Sequence, residues 1–427
     1  MHIILLGTLD TKQSEVLYLQ SQLLQTADLL SLSLEVTLID VGCRPVTSPE
    51  ITISHKDLLQ KYIPEGSGSK DPWSLPRGEA IKYISACATQ CVSTLLKEGP
   101  VHGIIGTGGS GGTSLISTVM RDAAPIGLPK MIVSTIASGN TGSVVGECDI
   151  TLMYSVVDIA GQNQLLRDVL SNAAGSIVGM ASAYQYRIEH RPGQGQQGKK
   201  TRVGITMFGV TTPSVDAIRK HLETNYNVEV YVFHATGHGG KAMERLVSEG
   251  YLDAIIDLTT TEICDLVAGG EMACDGTRLE TGLKRGIPNI ISVGATDMVN
   301  FGPEGSIPSK YREKKGEGER KFFVHNPSVT LMRTNKEECR AIGEFIVEKI
   351  QKHARQDGKV EVWIPKGAVS AISGKGGVFE DREADEALFD ALRQLKGTVK
   401  VVEDEHEVND GGFAVDIADR LMTMAVK

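Results

Sequence analysis

The sequence has no long apolar run, and this excludes several classes of protein. Its hydrophobic stretches are interrupted by Gly, Ser or Thr well short of the ~18 residues that a membrane-spanning helix needs. The N-terminal run from Ile3 to Leu6 is too short for the apolar core of a secretory signal, and no basic segment precedes it. We therefore expect neither a membrane span nor a secretory leader.

Paired cysteines and excess positive charge are also lacking. The seven cysteines are an odd number without a C-x-x-C pair, so we expect free thiols in a reducing cytoplasm rather than disulfides or a zinc site. The formal net charge is −9. Because polyanions are bound by positive patches, this charge argues against nucleic acid and anionic membranes as partners.

Glycine, by contrast, is abundant, with 47 residues among 427, or about 11% against a typical ~7%. Several glycines directly follow strand-like runs, at positions 7, 106–112, 237–240 and 294. Glycine lets the backbone turn tightly and approach a ligand closely. The excess therefore points to backbone-lined binding sites.

A polar, Gly/Gln-rich segment, residues 189–200, is the clearest linker in the chain. It predicts an N-terminal nucleotide-binding α/β domain over residues 1–188 and a C-terminal α/β domain over residues 201–427. Each half opens with a short apolar run, a glycine, a loop and a stretch of helical period. Strands that alternate with helices predict two doubly wound, Rossmann-like domains with mainly parallel sheets. A duplication and a chance similarity of two α/β halves both account for the correspondence.

The strongest motif is GTGGSGGT, residues 106–113, between a buried-strand pattern and a helical pattern that starts at Ser114. Its glycines can aim several N–H groups into one concavity, and the helix N-terminus adds positive charge that suits a phosphate. A merely flexible turn is the alternative, because neither the P-loop nor the dinucleotide fingerprint is present. The predicted nucleotide ligands are Gly106, Thr107, Gly108, Gly109, Ser110, Gly111, Gly112 and Thr113.

Other loops of the first half should reach the same sheet edge. Residues 7–12 (GTLDTK) follow the first strand and offer Gly7, Thr8, Asp10 and Lys12. Lys12 could neutralise phosphate charge and Asp10 could hold Mg²⁺, although a helix cap beside a surface lysine is the alternative. Further candidates for ribose, phosphate or metal contacts are Ser134, Ser138 and Asp40.

Polar loops after strands of the second half predict another site. His238, Lys241, Glu262 and Asp297 are the candidate catalytic acid–base groups there. Glycine turns at residues 373–377 and 409–412 should join them. Capping or turn roles are the alternative for each residue, and no Ser-His-Asp order, G-x-S-x-G elbow or H-E-x-x-H helix is present.

Taken in order, GTLDTK, LIDVG, GTGGSGGTSL and the SAISGKGGVFEDREAD–HEVND tail resemble the Tm-one-like ATP-binding family. That family is named for a tomato protein that confers resistance to tomato mosaic virus. The resemblance covers essentially the whole chain and implies two α/β domains, ATP in the first domain and a homodimer. It places nucleotide contacts on Gly7, Thr8, Asp10 and Lys12 and on residues 106–113. Many relatives are linked to a TIM-barrel domain, so a separate barrel partner is a further expectation, and the antiviral role is not carried over.

These features support hypotheses of different classes. The first is a nucleotide-binding, Mg²⁺-assisted enzyme that acts on an unknown small metabolite at a cleft between the domains. The second is a non-catalytic ATP-dependent regulator or protein-binding module, similar to a viral replication inhibitor. The third is a sugar- or acid-binding enzyme that uses only the second site.

Overall fold

The computed structural model of the protein describes residues 1–190, 200–313 and 319–425. Its chain divides into two units, Met1–Gly193 and Gln194–Lys427, which we call unit 1 and unit 2. Most of the predicted linker lies outside the described residues. Within the described ranges, no helix is both long and apolar enough to cross a membrane.

Unit 1 is built on a five-stranded parallel sheet of order β2-β1-β3-β4-β5. Its strands are β1 (His2–Gly7), β2 (Glu35–Asp40), β3 (Gly103–Gly108), β4 (Lys130–Ser134) and β5 (Thr151–Tyr154). Leu5 at the centre of β1 is in register with Leu38 on one side and Ile105 on the other. Strands that are covered on both faces read as continuous apolar runs, which is the pattern of β1 and β3.

Helices cover both faces of this sheet. They are α1 (Leu9–Leu29), α2 (His55–Lys61), α3 (Arg77–Glu98), α4 (Ser110–Ala123), α5 (Gly142–Val145) and α6 (Gln164–Glu189). Ile3 and Leu5 of β1 pack in one hydrophobic cluster with α1 and α6. Ile4 and Leu6 point to the opposite face and pack with α3 and α4. The alternation of side chains along β1 thus supplies both halves of the core.

Unit 2 contains a six-stranded parallel sheet of order β14-β13-β9-β8-β6-β7 and a small antiparallel sheet of order β10-β12-β11. The strands are β6 (Thr201–Met207), β7 (Val228–His234), β8 (Ala254–Thr259), β9 (Asn289–Gly294), β10 (Met298–Phe301), β11 (Phe322–Asn326), β12 (Val329–Arg333), β13 (Val360–Pro365) and β14 (Lys400–Asp404).

The helices of unit 2 again lie on both faces of its large sheet. They are α7 (Thr212–Asn225), α8 (Gly239–Ser248), α9 (Thr261–Ala268), α10 (Glu280–Arg285), α11 (Ser309–Arg312), α12 (Lys336–His353), α13 (Arg382–Arg393) and α14 (Gly411–Ala425). One cluster joins β6 and β8 to α7 and α14. Another joins β9 and β13 to α9, α12 and α13. Helix α12 begins where Asn335 and Glu338 form a capping box, which satisfies its first backbone N–H groups.

The two large sheets share a strand order. In unit 1, the first strand lies between the second and the third, and the same holds for β6 between β7 and β8. The prediction of two Rossmann-like α/β folds with parallel sheets is confirmed. In such sheets the order reverses at a switch point, where the loops after neighbouring strands diverge and leave a crevice at the carboxyl edge. In unit 1 that point lies between β1 and β3.

Two helices of unit 1 begin earlier than the sequence predicts. Helix α4 starts at Ser110 rather than Ser114, so only Gly109 separates it from β3. Helix α1 starts at Leu9, although Lys12 within it has non-helical dihedral angles (φ −138°, ψ 30°). The predicted loops are therefore largely strand ends and first helical turns. Apolar periodicity cannot reveal such turns, because their residues are glycine, serine and threonine.

Candidate functional site

A cavity of about 800 Å³ opens at the carboxyl edge of unit 1, where the loops after β1 and β3 diverge. The segments that line it come from the first turns of α1, α3 and α4, from the ends of β2 and β4, and from loop residues. The lining residues are Thr8, Asp10, Thr11, Lys12, Val41, Cys43, Pro72, Trp73, Leu75, Arg77, Ala80, Ile81, Gly109, Ser110, Gly111, Gly112, Leu115, Thr135 and Asp158. Its volume lies in the range of small-molecule sites, roughly 300–1,000 Å³.

The first turn of α4 forms one wall of this cavity. The N–H of Thr113 donates to the carbonyl of Gly109 at 2.8 Å, which closes the first turn. The N–H groups of Ser110, Gly111 and Gly112 precede it and have no intrahelical acceptor. Among the described residues, no other acceptor is found for them. The cavity is thus lined by three N–H donors and by the positive end of a 14-residue helix.

Arg77, the first residue of α3, brings a guanidinium to the same wall. A Cβ atom placed on Gly111 would lie 3.3 Å from Arg77 Nη2, so the guanidinium sits directly beside the first turn of α4. Arg77 also lowers the pKa of the Cys43 thiol, although burial is the larger effect and raises that pKa overall. In the described part of the chain, no carboxylate forms an ion pair with Arg77. Its charge is therefore open to a ligand.

The turn after β1 supplies Lys12 and Asp10. The Lys12 ammonium donates to the carbonyl of Ile159, and Lys12 is also the residue at which the backbone of α1 leaves helical geometry. Asp10 Oδ2 accepts the N–H groups of Cys43 at 2.9 Å and Arg44 at 3.3 Å. Asp10 therefore ties the loop after β2 to the loop after β1.

The remaining predicted nucleotide ligands lie behind the cavity or beside it. Gly7, Gly106, Thr107 and Gly108 are the ends of β1 and β3. A Cβ atom on Gly108 would lie 2.9 Å from the Cα of Gly112, so glycine is needed there for strand and helix to approach.

Two hydroxyl groups predicted as ligands are buried and bond to each other. Thr113 Oγ1 and Ser134 Oγ are 2.7 Å apart and join α4 to β4. Ser138 is exposed and does not line the cavity. Thr8, Asp10, Lys12 and Gly109–Gly112 are thus the predicted residues that the structure brings together around the cavity.

The carboxylates near the cavity are the candidate ligands for a metal ion. Asp40 is buried, and its Oδ1 accepts the N–H of Gly42 at 3.0 Å, while burial raises its pKa. Asp158 lines the cavity and is exposed. Within the described ranges no group of three or more His, Cys, Asp or Glu side chains is placed to hold a metal ion. Mg²⁺ bound by one or two carboxylates together with ligand phosphates still fits the residues present.

In unit 2, Glu262 belongs to a buried ion-pair network. Its Oε2 accepts from Arg278 Nε at 2.8 Å, and its Oε1 accepts the N–H groups of Gly237 and Gly240 at 2.8 and 3.2 Å. Arg278 also donates two bonds of 2.6 Å to Asp257. Glu262 therefore fixes the loop on either side of His238.

The other predicted acid–base residues of unit 2 have different surroundings. His238 is the exposed N-cap residue of α8, and Lys241 forms an ion pair of 3.1 Å with Asp275. Asp297 is fully buried, its Oδ2 accepts from Ser370 Oγ at 2.7 Å, and burial raises its pKa to about 6. Ser370 comes from the loop after β13, so this loop contacts Asp297 at the sheet edge. The catalytic roles of these residues stay predictions.

Several lining residues were not among the sequence-predicted ligands. Trp73 comes from the segment between α2 and α3, Arg77 is the first residue of α3, and Thr135 and Asp158 follow β4 and β5. Thr135 and Asp158 could have been predicted from the sequence, because each is a polar residue shortly after a strand. Arg77 could have been predicted as a positively charged residue that follows Pro76 at the start of a helix.

The fold and the cavity define the class of the protein. It is a two-unit open α/β protein with parallel sheets, and unit 1 has a ligand-sized cavity at its switch point. The sequence matches the models of an uncharacterised protein family, UPF0261, with the N-terminal domain model over residues 1–186 and the C-terminal domain model over residues 200–425. The chain belongs to this family.

Relatives in bacteria and plants extend over nearly the whole chain. A UPF0261 protein of Clostridium tetani is 41% identical over 100% of this chain and 99% of its own length. The ToMV susceptible protein tm-1(GCR26) of Solanum lycopersicum is 39% identical, and the ToMV resistance protein Tm-1(GCR237) of the same plant is 38% identical. Each tomato match covers 99% of this chain and 55% of the tomato protein. The family resemblance inferred from the motifs is confirmed.

Proposed function

We propose that unit 1 binds ATP in the switch-point cavity, with the phosphates on the first turn of α4. The observation that carries this proposal is the meeting of three N–H donors, Ser110 to Gly112, with the guanidinium of Arg77 on one wall. Backbone N–H groups at a helix N-terminus and a guanidinium fork are two donors that suit phosphate oxygens. Both supply positive charge without a carboxylate partner found among the described residues.

Other residues around this wall support the same placement of the ATP phosphates. Lys12 adds a second cation, held in place through the Ile159 carbonyl. The charge of Asp10 is offset by two backbone N–H groups, so it opposes an anion less than a free carboxylate would. Asp158 is the lining carboxylate that could hold Mg²⁺ together with phosphate oxygens. When bound, Mg²⁺ would offset phosphate charge.

Asp158 also supports a second candidate function, an enzyme that turns ATP over on a small metabolite. A carboxylate near the proposed position of the ATP phosphates could orient an attacking hydroxyl or water. If Asp158 has this role, Asp158→Asn removes phosphate release while ATP still binds. If wild-type protein releases no phosphate, the ATP-dependent regulator is favoured. A homodimer and a separate barrel partner belong to the proposal as predictions of the family resemblance, and a cytoplasmic site of action belongs to it as a prediction of the cysteine pattern.

Calorimetric titration with Mg²⁺-ATP tests the binding proposal. Hydrogen bonds to charged groups contribute roughly 1.5–3 kcal/mol, and each 1.4 kcal/mol is a factor of ten in affinity. We therefore expect Arg77→Ala to weaken ATP binding about 10- to 150-fold. Arg187→Ala is the matched control, because Arg187 is an exposed arginine near the C-terminal end of α6 and does not line the cavity. Absence of any isotherm for the wild-type protein at millimolar ATP refutes the proposal.

A further inference from the structure

The cavity of unit 1 has an aromatic end as well as a phosphate end. Trp73 lies in the short 3₁₀ turn Pro72–Ser74 between α2 and α3, and its backbone N–H donates to Asp71 Oδ1 at 3.1 Å. It lines the cavity together with Pro72 and Leu75. Arg77 follows four residues later, so one short segment supplies both the indole and the guanidinium.

Trp73 is unusually exposed for a tryptophan. It keeps 61% of its surface exposed, whereas Trp363, the other tryptophan of the chain, keeps 6%. Leaving an indole in water forgoes the large burial energy that aromatic side chains provide. Because Trp73 also lines the cavity, its indole is placed where a bound ligand could cover it.

The orientation of the indole is fixed from one side. The guanidinium carbon of Arg44 lies 3.3 Å from the centroid of the Trp73 ring, a cation–π contact that covers one face. Because 61% of the residue is nevertheless exposed, the opposite face is open. Arg44 is itself held through its backbone, since its N–H donates to Asp10 Oδ2. The open face is therefore a preformed surface that is tied to the loop after β1.

We propose that Trp73 is a stacking platform for the base of the bound nucleotide, with Arg44 as the positioning residue behind it. This inference rests on the proposed function, because it assigns the second end of the same ligand. A planar base fits the open face of an indole, and base–aromatic stacking does not depend on base-specific hydrogen bonds. The platform thus favours a ligand with phosphates at one end and an aromatic ring system at the other.

Calorimetry with two probes, Mg²⁺-ATP and inorganic tripolyphosphate, distinguishes binding of the base from binding of the phosphates, because tripolyphosphate has no base. We expect Trp73→Ala to weaken ATP binding roughly 5- to 150-fold, the range that stacking of one base provides, and to leave tripolyphosphate binding unchanged. Trp73→Phe should recover most of the ATP affinity. Tyr186→Ala is the matched control, since Tyr186 is an aromatic residue of the same unit with 64% exposure and no place in the cavity lining.

Tryptophan fluorescence gives an independent readout. Because Trp363 is buried in unit 2, ATP should quench the emission of Trp73, tripolyphosphate should quench it far less, and the ATP effect should disappear in Trp73→Phe. Arg44→Ala should reduce the ATP quenching without altering tripolyphosphate affinity.

Three outcomes would overturn these inferences in distinguishable ways. If Trp73→Ala binds ATP as tightly as wild type, the platform is wrong and the phosphate site stands. An equal loss of ATP and tripolyphosphate affinity in Trp73→Ala makes Trp73 a structural residue and also overturns the platform. If wild-type protein binds neither probe, the proposed function itself fails.

Discussion

Gly111→Val places a branched side chain on the wall where the phosphates are proposed to lie. A Cβ atom at this position would be 3.3 Å from Arg77 Nη2 and 3.4 Å from Ile81 Cδ1. The two methyl groups of valine extend further, so they displace the guanidinium or fill the space in front of the N–H groups. No backbone atom is among the nearest neighbours of this Cβ, so the fold has room for the change.

The expected loss of affinity follows from the contacts that the valine blocks. Losing a single charge-assisted hydrogen bond to a phosphate costs about 1.5–3 kcal/mol, which weakens binding about 10- to 150-fold. The free energy of unfolding should change little, because valine has a helix propensity a few tenths of a kcal/mol better than glycine. Gly111→Val should therefore bind ATP poorly and melt like the wild type.

Gly106→Val is the contrasting control on the same motif. A Cβ atom there would lie 2.8 Å from Ile116 Cδ1 and 2.9 Å from the Leu6 carbonyl oxygen, inside the packed core. Overpacking of this kind costs about 1–3 kcal/mol, and each kcal/mol lowers the Tm of a domain of this size by about 2–4 °C. Calorimetric titration and thermal melts of both variants would test the distinction. Wild-type ATP affinity in Gly111→Val, or a Tm loss as large as that of Gly106→Val, would refute the reasoning.

Two further predictions concern unit 2. Glu262→Ala removes one partner of a buried ion pair with Arg278, so the free energy of unfolding should fall by about 3–5 kcal/mol in urea denaturation; a loss below about 1 kcal/mol would show that the pair does not hold the loop. Burial raises the pKa of Asp297 to about 6 from an ordinary 3.8, so the folded chain binds a proton that the unfolded chain releases. Its stabilising contribution is therefore full below about pH 4 and is lost as the pH rises through 6, a change of about 3 kcal/mol. Asp297→Asn should lack this change, and a pH-independent difference between the two proteins would contradict the assignment.

Much of the fold could be predicted from the sequence because parallel strands that are buried on both faces have continuous apolar sequences. Strand β1 has such a run from Ile3 to Leu6, and β8 has a shorter one from Ala254 to Ile256. Strand β5 did not stand out, because it is a four-residue edge strand that is exposed at both ends. The small antiparallel sheet was missed for a different reason, since β10 pairs with β12, which follows it only after residues 302–328.

Only the polar half of the candidate site could be predicted. The loops after β1 and β3 meet at the switch point, as parallel topology requires, and this brings Lys12 near Gly111 in the cavity lining. Trp73 and Arg77 belong to a connection that follows a helix rather than a strand, so topology did not point to them. Glu262 shows a different limit, because a polar residue that follows a strand can be an internal counter-charge as well as a catalytic group, and its catalytic role stays a prediction.

The hydrophobic clusters have a calorimetric consequence. Among the residues that the structure describes, each hydrophobic cluster draws its members from one unit, so each unit has a hydrophobic core of its own. A ligand adds binding free energy only to the transition of the core it occupies, about 2.7 kcal/mol at a concentration of 100 Kd. Nucleotide should therefore separate two overlapping heat-absorption peaks by moving the first unit's peak upward, and the peak that moves identifies the occupied unit without any mutation.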